Sequence, residues 1–217
     1  MRQFGWNEFE LLVFAARWTI VLAIIAFVGG GIGGLTVALL RTADSRVARS
    51  AMIVFIRVFQ GTPLLMQLFL AYFGMAIFGF TVNPLIAAMI ALTAHASAYL
   101  GEIWRGSIEA VPPGQTEAST ALGLHYFARM RYVVLPQAAR VAVPPTVGFL
   151  VQLLKETSLT SIIGFVELAR EGQIITSVTF RPFLVYGLVA AIYFVMCWPL
   201  SLVAGRMERG LARATKR

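Results

Sequence analysis

The chain has 217 residues, of which 59% are hydrophobic and only 13% are charged, and its mean hydropathy is +0.79. Soluble domains carry about a quarter charged residues, so this composition excludes an ordinary soluble domain and predicts one compact domain in a lipid bilayer. The net charge of +8 does not indicate nucleic-acid binding, because the basic residues are scattered among apolar stretches. The single cysteine, Cys197, excludes a disulfide framework within the chain.

Five apolar stretches are long enough to cross a bilayer, which takes about 20 residues in a helix. We therefore expect an all-α integral membrane protein with five transmembrane helices in a single domain over 1–217. The first residues lack a basic region followed by a cleavage site, so we expect the first stretch to stay in the protein. The expected spans are 11–40, 51–78, 84–103, 142–159 and 182–204.

The first span contains a run of glycines, which would let another helix backbone approach closely. The run consists of Gly29, Gly30, Gly31, Gly33 and Gly34.

The basic residues fall mostly on one side of these spans, as is typical of the cytoplasmic side. Of the 18 lysines and arginines, twelve lie in the segments 41–49, 105–141 and 206–217. The opposite side holds only Arg2, Arg170 and Arg181, and the other three basic residues lie within or beside spans. We therefore expect the N-terminus outside, the C-terminus in the cytoplasm, and the polar segment 105–141 on the cytoplasmic face.

The polar segment 105–141 is predicted to contain two short helices. A proline pair ends the preceding helix, and Thr116 is placed to cap a new one with Glu117 in its first turn. Gly123 suits the left-handed turn that ends a helix, and a second helix over 126–135 is expected to stop at Pro136. The first helix is too short to be stable alone in water, so it needs a surface to pack on, either its own spans or another protein.

The same segment carries a motif. Glu117-Ala118-Ser119, then Gly123, then nine residues to Val133-Val134-Leu135-Pro136, resembles the EAA motif of ABC importer permeases, with Ser in place of Ala at its third position. The stretches GTPLLMQLFLAYFG, AYLGEIWRGSIEAVPPGQTEAS, LPQAAR and LLKETSLTSI are similar to the polar amino-acid uptake branch, the histidine-, glutamine- and arginine-type permeases.

This resemblance implies the type I ABC importer permease fold and a coupling helix that docks on a cytoplasmic ATPase over 117–136. We call residues 105–141 the coupling segment. The ATPase-coupling residues implied are Gly114, Glu117, Ala118, Ser119, Leu122, Gly123, Leu135 and Pro136.

The resemblance also implies a multi-pass permease of the bacterial cytoplasmic (inner) membrane that moves a polar amino acid from periplasm to cytoplasm. Its implied partners are an ABC ATPase dimer, a second permease subunit, identical or related, and a periplasmic substrate-binding protein. The chain lacks a G-x-x-x-x-G-K-[ST] run, so we expect it to be no enzyme and to hold no cofactor, with ATP and Mg bound by the ATPase.

Two other functions compete with this one. An ATP-independent amino-acid channel or facilitator would leave the pattern over 117–136 without a role. A membrane-embedded enzyme using His95 and Glu102 lacks the further catalytic groups that such a site needs, since the chain has only two histidines and one cysteine.

Polar side chains near the middle of the spans are the candidates for a substrate path. At 1.5 Å per residue, His95 lies about midway along the third span, and Phe149 and Gln152 reach a similar depth in the fourth. Polar groups at that depth are costly and typical of a pathway, although contacts between helices are the competing interpretation. The predicted path residues are Gln67, His95, Ser97, Phe149 and Gln152.

The carboxylates near the membrane are predicted to lie away from this path. Glu102, near Arg105, is expected to make a local ion pair or a helix-end contact, and Glu156 is expected near the outer end of the fourth span. Relatives that bind basic amino acids often have Asn-Glu where this chain has Gly148-Phe149, so we expect no obvious anion in this subunit to hold a cationic group.

The segment 161–181 lies between the last two spans. Glu167, Arg170 and Glu171 are spaced to share one face of a helix. We expect this helix to lie flat on the outer interface, either to meet a substrate-binding protein or as a plain connector.

Overall fold

The structure, a computed structural model, describes residues 4–42 and 45–215. Within these two ranges the chain is helical and has no strand, which confirms the predicted all-α fold. Four helices are long and apolar enough to cross a membrane, and a bent pair makes a fifth crossing if it is one span. The helices are α1 (Trp6–Thr42), α2 (Arg46–Gly61), α3 (Leu64–Ile77), α4 (Pro84–Glu109), α5 (Pro113–Ala121), α6 (Tyr126–Ile163), α7 (Leu168–Thr179) and α8 (Pro182–Thr215).

The segment predicted as one span over 51–78 is not a continuous helix. Its two parts, α2 and α3, meet at an angle of 103°. Pro63 has no N–H and disfavours a helical residue before it, and Thr62 is accordingly extended, with φ −116° and ψ 141°. The bend leaves carbonyl groups at the end of α2 without partners in that helix.

The helices α1 and α4 pack against each other more closely than ordinary side chains allow. A Cβ on Gly34 would lie 2.9 Å from the backbone nitrogen of Gly101, and one on Gly101 would lie 2.5 Å from Cγ1 of Val37. The predicted role of the glycine run, a close backbone approach, is confirmed, and the partner is the third span.

The second helix of the coupling segment does not stop at Pro136, so that prediction is wrong. It continues as α6 through a π-helical turn at Met130–Val134 and ends in a 3-10 turn at Thr157–Ile163. The N–H of Leu135 donates to the carbonyl of Met130, five residues back. The missing N–H of Pro136 therefore falls where the regular helical ladder is already interrupted.

The segment 161–181 also differs from its prediction. Glu167 does not share a surface face with Arg170 and Glu171, because it precedes α7 and its side chain turns inward to cap that helix. Its Oε1 accepts the backbone N–H of Arg170 at 2.9 Å, and its Oε2 accepts the hydroxyls of Thr19 at 3.2 Å and Tyr193 at 2.8 Å. The helix α7 is thereby fixed to α1 and α8, around the buried side chains of Leu12, Ala16, Leu168, Ile175, Val185 and Val189.

Candidate functional site

A polar cluster lies where α3, α4 and α6 meet, and the bend after α2 orients its first member. The side-chain amide nitrogen of Gln67 donates to the carbonyl of Phe59 at 2.8 Å and to that of Thr62 at 3.0 Å. These are carbonyls at the end of α2, freed by the bend. The amide oxygen of Gln67 consequently points away from them, toward α4.

That oxygen determines the tautomer of His95, which is only 3% exposed. The Nδ1 of His95 lies 3.2 Å from Oε1 of Gln67, and because this oxygen only accepts, Nδ1 carries a hydrogen. In the neutral imidazole the lone pair then belongs to Nε2. That atom faces Oε2 of Glu156 at 3.5 Å.

The atoms Nε2 of His95 and Oε2 of Glu156 are buried and make no hydrogen bond with any described residue. Both are acceptors when the histidine is neutral and the carboxyl is ionised. Two buried acceptors side by side need a hydrogen between them, and a proton on either group, a bound ammonium group or a water would supply one. The other oxygen of Glu156 accepts the side-chain amide of Gln152 at 2.7 Å, so Oε2 is the oxygen that has no hydrogen-bond partner among the described residues.

Aromatic rings form one wall of the cluster. The ring of Tyr99 lies 4.6 Å from that of His95, and it stacks on Phe149 with centroids 5.5 Å apart and planes 11° from parallel. Phe149 is itself buried. The cluster therefore combines a carboxyl group, an imidazole and two amides with an apolar wall.

Four of the five predicted path residues come together in this cluster: Gln67, His95, Phe149 and Gln152. Ser97 does not join them. Its hydroxyl donates to the carbonyl of Thr93 at 2.7 Å, on the face of α4 that packs against Gly33 of α1. Whether each residue contacts substrate stays a prediction.

Glu156 is the site residue that the sequence predictions misplaced. It lies beside His95 rather than at the outer end of its span, since α6 continues for seven residues beyond it. The structure therefore places a carboxyl group in the cluster, where the sequence predicted none, and whether it holds a cationic group stays untested. The sequence signal that could have placed Glu156 in the cluster is its four-residue spacing from Gln152, which puts both side chains on one helical face.

The predicted ion pair of Glu102 and Arg105 is confirmed. The Nε of Arg105 lies 2.9 Å from Oε2 of Glu102.

The first helix of the coupling segment begins earlier than predicted. It starts at Pro113, a residue suited to the first helical position, so Thr116 lies inside α5 and is not its cap. The carbonyl of Thr116 instead accepts the hydroxyl of Ser119 at 2.9 Å. Gly123 has a φ of +76°, which confirms the predicted left-handed turn.

The coupling segment has one anchored and one exposed face. Ser119 is buried, and Val111, Val134 and Ala138 form a small core beneath the segment. On the other side Leu122 is 81% exposed and Phe127 is 76% exposed. Of the other predicted coupling residues, Leu135 is half-buried, and the exposed ones are Gly114, Glu117, Ala118, Gly123 and Pro136.

Comparisons with known proteins identify the family. A family model described as "Binding-protein-dependent transport system inner membrane component" matches residues 30–217. The chain is 34% identical over 206 residues to the glutamine transport system permease protein GlnP of Escherichia coli (strain K12), covering 94% of each chain. It is 40% identical over 197 residues to the L-cystine transport system permease protein TcyB of Bacillus subtilis (strain 168), covering 90% of this chain and 84% of that one.

Solved structures agree with this assignment. A crystal structure of an amino acid ABC transporter with histidines superposes with a TM-score of 0.87 at 38% identity, over 92% of this chain and 94% of that chain. The MetNI methionine ABC transporter shares the fold with a TM-score of 0.79 at 20% identity, over 95% of this chain and 99% of that chain. The chain therefore belongs to the family of binding-protein-dependent transport system inner membrane components.

Proposed function

We propose that the chain is the permease subunit of an ABC importer that moves a polar amino acid into the cytoplasm. One observation carries this proposal: a single helix, α6, connects the coupling segment at Tyr126 to the polar cluster at Glu156. The thirty residues between them correspond to a path of about 45 Å at 1.5 Å per residue. A displacement of the coupling segment therefore reaches the cluster through one continuous element.

The cluster favours a substrate that carries an ammonium group. The Oε2 of Glu156 and the Nε2 of His95 accept two of its hydrogens, which removes the repulsion between two facing acceptors. Gln67 and Gln152 hold these two groups in place through the hydrogen bonds described above. The stacked rings of Tyr99 and Phe149 then face the rest of the substrate. The relatives that transport glutamine and cystine support an amino acid as the substrate class.

The partners follow from the exposed face of the coupling segment and from the family. The apolar side chains of Leu122 and Phe127 are covered by an ATPase subunit docked on 117–136, which binds ATP and Mg and carries the hydrolysis. A second permease subunit, identical or related, completes the substrate passage, and a periplasmic binding protein delivers the substrate. The N-terminus lies outside and the coupling segment in the cytoplasm, as the distribution of arginines indicates.

The turn at Gly123 offers a test of the docking. A β-branched side chain is strained at a positive φ whereas asparagine tolerates it, and an added Cβ would meet no atom within 4 Å. We expect Gly123→Val to lose the ATPase during purification in mild detergent, and Gly123→Asn to retain it. The measurement is the ratio of ATPase to permease in the purified complex.

Uptake into proteoliposomes distinguishes the importer from a facilitator. An importer takes up labelled amino acids only when ATP reaches the ATPase, and the Gly123→Val protein takes up none. Equal uptake by both variants in the absence of ATP would instead establish an ATP-independent channel.

A further inference from the structure

A groove runs between α1, α4 and α6 on the same side of the membrane as the coupling segment. Its membrane part has a volume of about 420 Å³ and is lined by apolar and small side chains, among them Leu35, Ala38, Trp104 and Ala142. The indole N–H of Trp104 donates to the hydroxyl of Thr146 at 2.9 Å, so the ring presents no unsatisfied donor to the groove. A polar ligand would find no partners in this part, whereas a hydrocarbon chain needs none.

Ile108 separates this part from a basic cavity of about 690 Å³ and lines both, and α2 and α5 also contribute to the walls of the basic cavity. Three guanidinium groups line the basic part, those of Arg41, Arg49 and Arg129. The carboxylates lining it are Glu109, which is bonded to Arg105, and the exposed Glu117. The Nε of Arg41 is buried and has no hydrogen-bond partner among the described residues.

We propose that this groove binds an anionic phospholipid of the leaflet that borders the coupling segment. One acyl chain lies along Leu35 and Ala142, and the phosphate meets the guanidiniums of Arg41 and Arg129. The charge order along the groove matches this occupant, since it is apolar at membrane depth and positive at the membrane surface. Guanidinium groups bind phosphate oxygens in paired hydrogen bonds, and basic pockets between transmembrane helices are typical sites for anionic headgroups.

Trp104 provides a reporter inside the groove. The chain has four tryptophans, so Trp6→Phe, Trp18→Phe and Trp198→Phe together leave Trp104 as the single emitter. The full chain with these changes is reconstituted in phosphatidylcholine nanodiscs that contain a fixed fraction of lipid brominated on its acyl chains. The brominated lipid is either phosphatidylglycerol or phosphatidylcholine, and bromine quenches the fluorescence of an indole that it contacts.

We expect brominated phosphatidylglycerol to quench Trp104 at a mole fraction about 25-fold lower than brominated phosphatidylcholine, because two guanidinium groups meet the headgroup. Each guanidinium near the headgroup favours the anionic lipid about fivefold, the equivalent of about 1 kcal/mol. Arg41→Gln should therefore reduce the preference about fivefold. The matched control is Arg140→Gln, because Arg140 is exposed on α6 and lines neither part of the groove. It should keep the full preference.

A second variant tests the apolar part independently of charge. Ala142→Phe fills the groove and should lower quenching by both brominated lipids, while the thermal unfolding temperature shows whether the variant is folded. Addition of inorganic phosphate should leave the quenching unchanged, since a free anion does not occupy the apolar part.

Three outcomes would overturn the proposal. Equal quenching by the two lipids would mean that the arginines do not select the headgroup. No quenching by either lipid would mean that protein, such as a second copy of the chain, covers the groove. Displacement by inorganic phosphate would assign the basic cavity to a soluble anion. None of these outcomes bears on transport, so the proposed function is tested separately.

Discussion

Two carboxylates inside the protein, Glu156 and Glu167, have opposite surroundings. Glu167 is 0% exposed, and both of its oxygens accept hydrogen bonds, from Thr19, Tyr193 and the backbone of Arg170. The Glu156 side chain is 19% exposed, and one of its oxygens faces the acceptor nitrogen of His95. Burial raises the pKa of the Glu167 carboxyl, while its hydrogen bonds oppose that rise.

The difference distinguishes a structural acid from the acid that we propose to bind the substrate. A buried polar group whose partners all come from the protein contributes to the folded state, and removing it leaves those partners unsatisfied. A buried polar group that lacks a partner costs stability until a ligand supplies one. Glu167 therefore fastens α7 to two spans, whereas Glu156 keeps one oxygen without a partner among the described residues, as the proposed substrate site requires.

The largest effect on stability is expected from Glu167→Ala. The variant leaves the hydroxyls of Thr19 and Tyr193 without their acceptor, and it removes the cap of α7. We expect a loss of about 3 kcal/mol in the free energy of unfolding, from two or three unsatisfied groups and one cap. Denaturation in detergent micelles, followed by circular dichroism, measures the loss.

The matched control for this variant is Glu171→Ala. Glu171 lies on the same helix and is partly exposed. Among the described residues, its side chain accepts no hydrogen bond that would tie α7 to a span. We expect its effect to stay within about 0.5 kcal/mol. If the two variants lose equal stability, Glu167 has no special structural role.

An effect of opposite sign is expected from Glu156→Gln in the absence of substrate. The amide of the replacement side chain donates to Nε2 of His95 and removes the contact between two acceptors. We expect the free energy of unfolding to rise by about 1 kcal/mol, the value of one hydrogen bond. The same denaturation experiment measures it, and a loss as large as that of Glu167→Ala would make Glu156 a structural residue too.

A smaller loss than that of Glu167→Ala is expected from Tyr193→Phe, which deletes one of the donors to Glu167 and keeps the ring. Thr19 and the backbone N–H of Arg170 still hold the carboxylate. We expect a loss of about 1 kcal/mol, less than for Glu167→Ala, because the carboxylate keeps partners. A loss that equals that of Glu167→Ala would show that the phenol, rather than the carboxylate, joins α7 to α8.

The two carboxylates also mark the limits of sequence-based prediction. Hydropathy predicted the apolar helices, except that the stretch 51–78 is two helices, and the preference of glycine for the end of a helix predicted the turn at Gly123. The neighbours of Glu156 and Glu167 come from distant helices, such as Gln67 and His95 for the one and Thr19 and Tyr193 for the other. Contacts of this kind depend on how the helices pack, and helical periodicity within one segment contains no information about them.

The breaks in the helices were harder to predict than the helices themselves. Pro136 looks like a stop, and only the π-helical turn before it lets α6 continue. Pro63 lies in a stretch that is apolar throughout, yet it divides a predicted span in two. In both places the outcome depends on where the backbone hydrogen bonds of neighbouring residues go, which composition does not specify.

The most direct test of the assignment is ATP-driven uptake of a mixture of labelled amino acids by proteoliposomes that contain the purified complex and its binding protein. The variants are Glu156→Gln and the matched surface control Glu208→Gln, since Glu208 is exposed near the end of α8. We predict that Glu156→Gln lowers uptake about 10- to 100-fold, from the loss of one charged hydrogen bond worth about 1.5–3 kcal/mol, with the ATPase still bound. The Glu208→Gln complex should transport normally. Equal uptake by the two variants would contradict a role for Glu156 in binding the substrate.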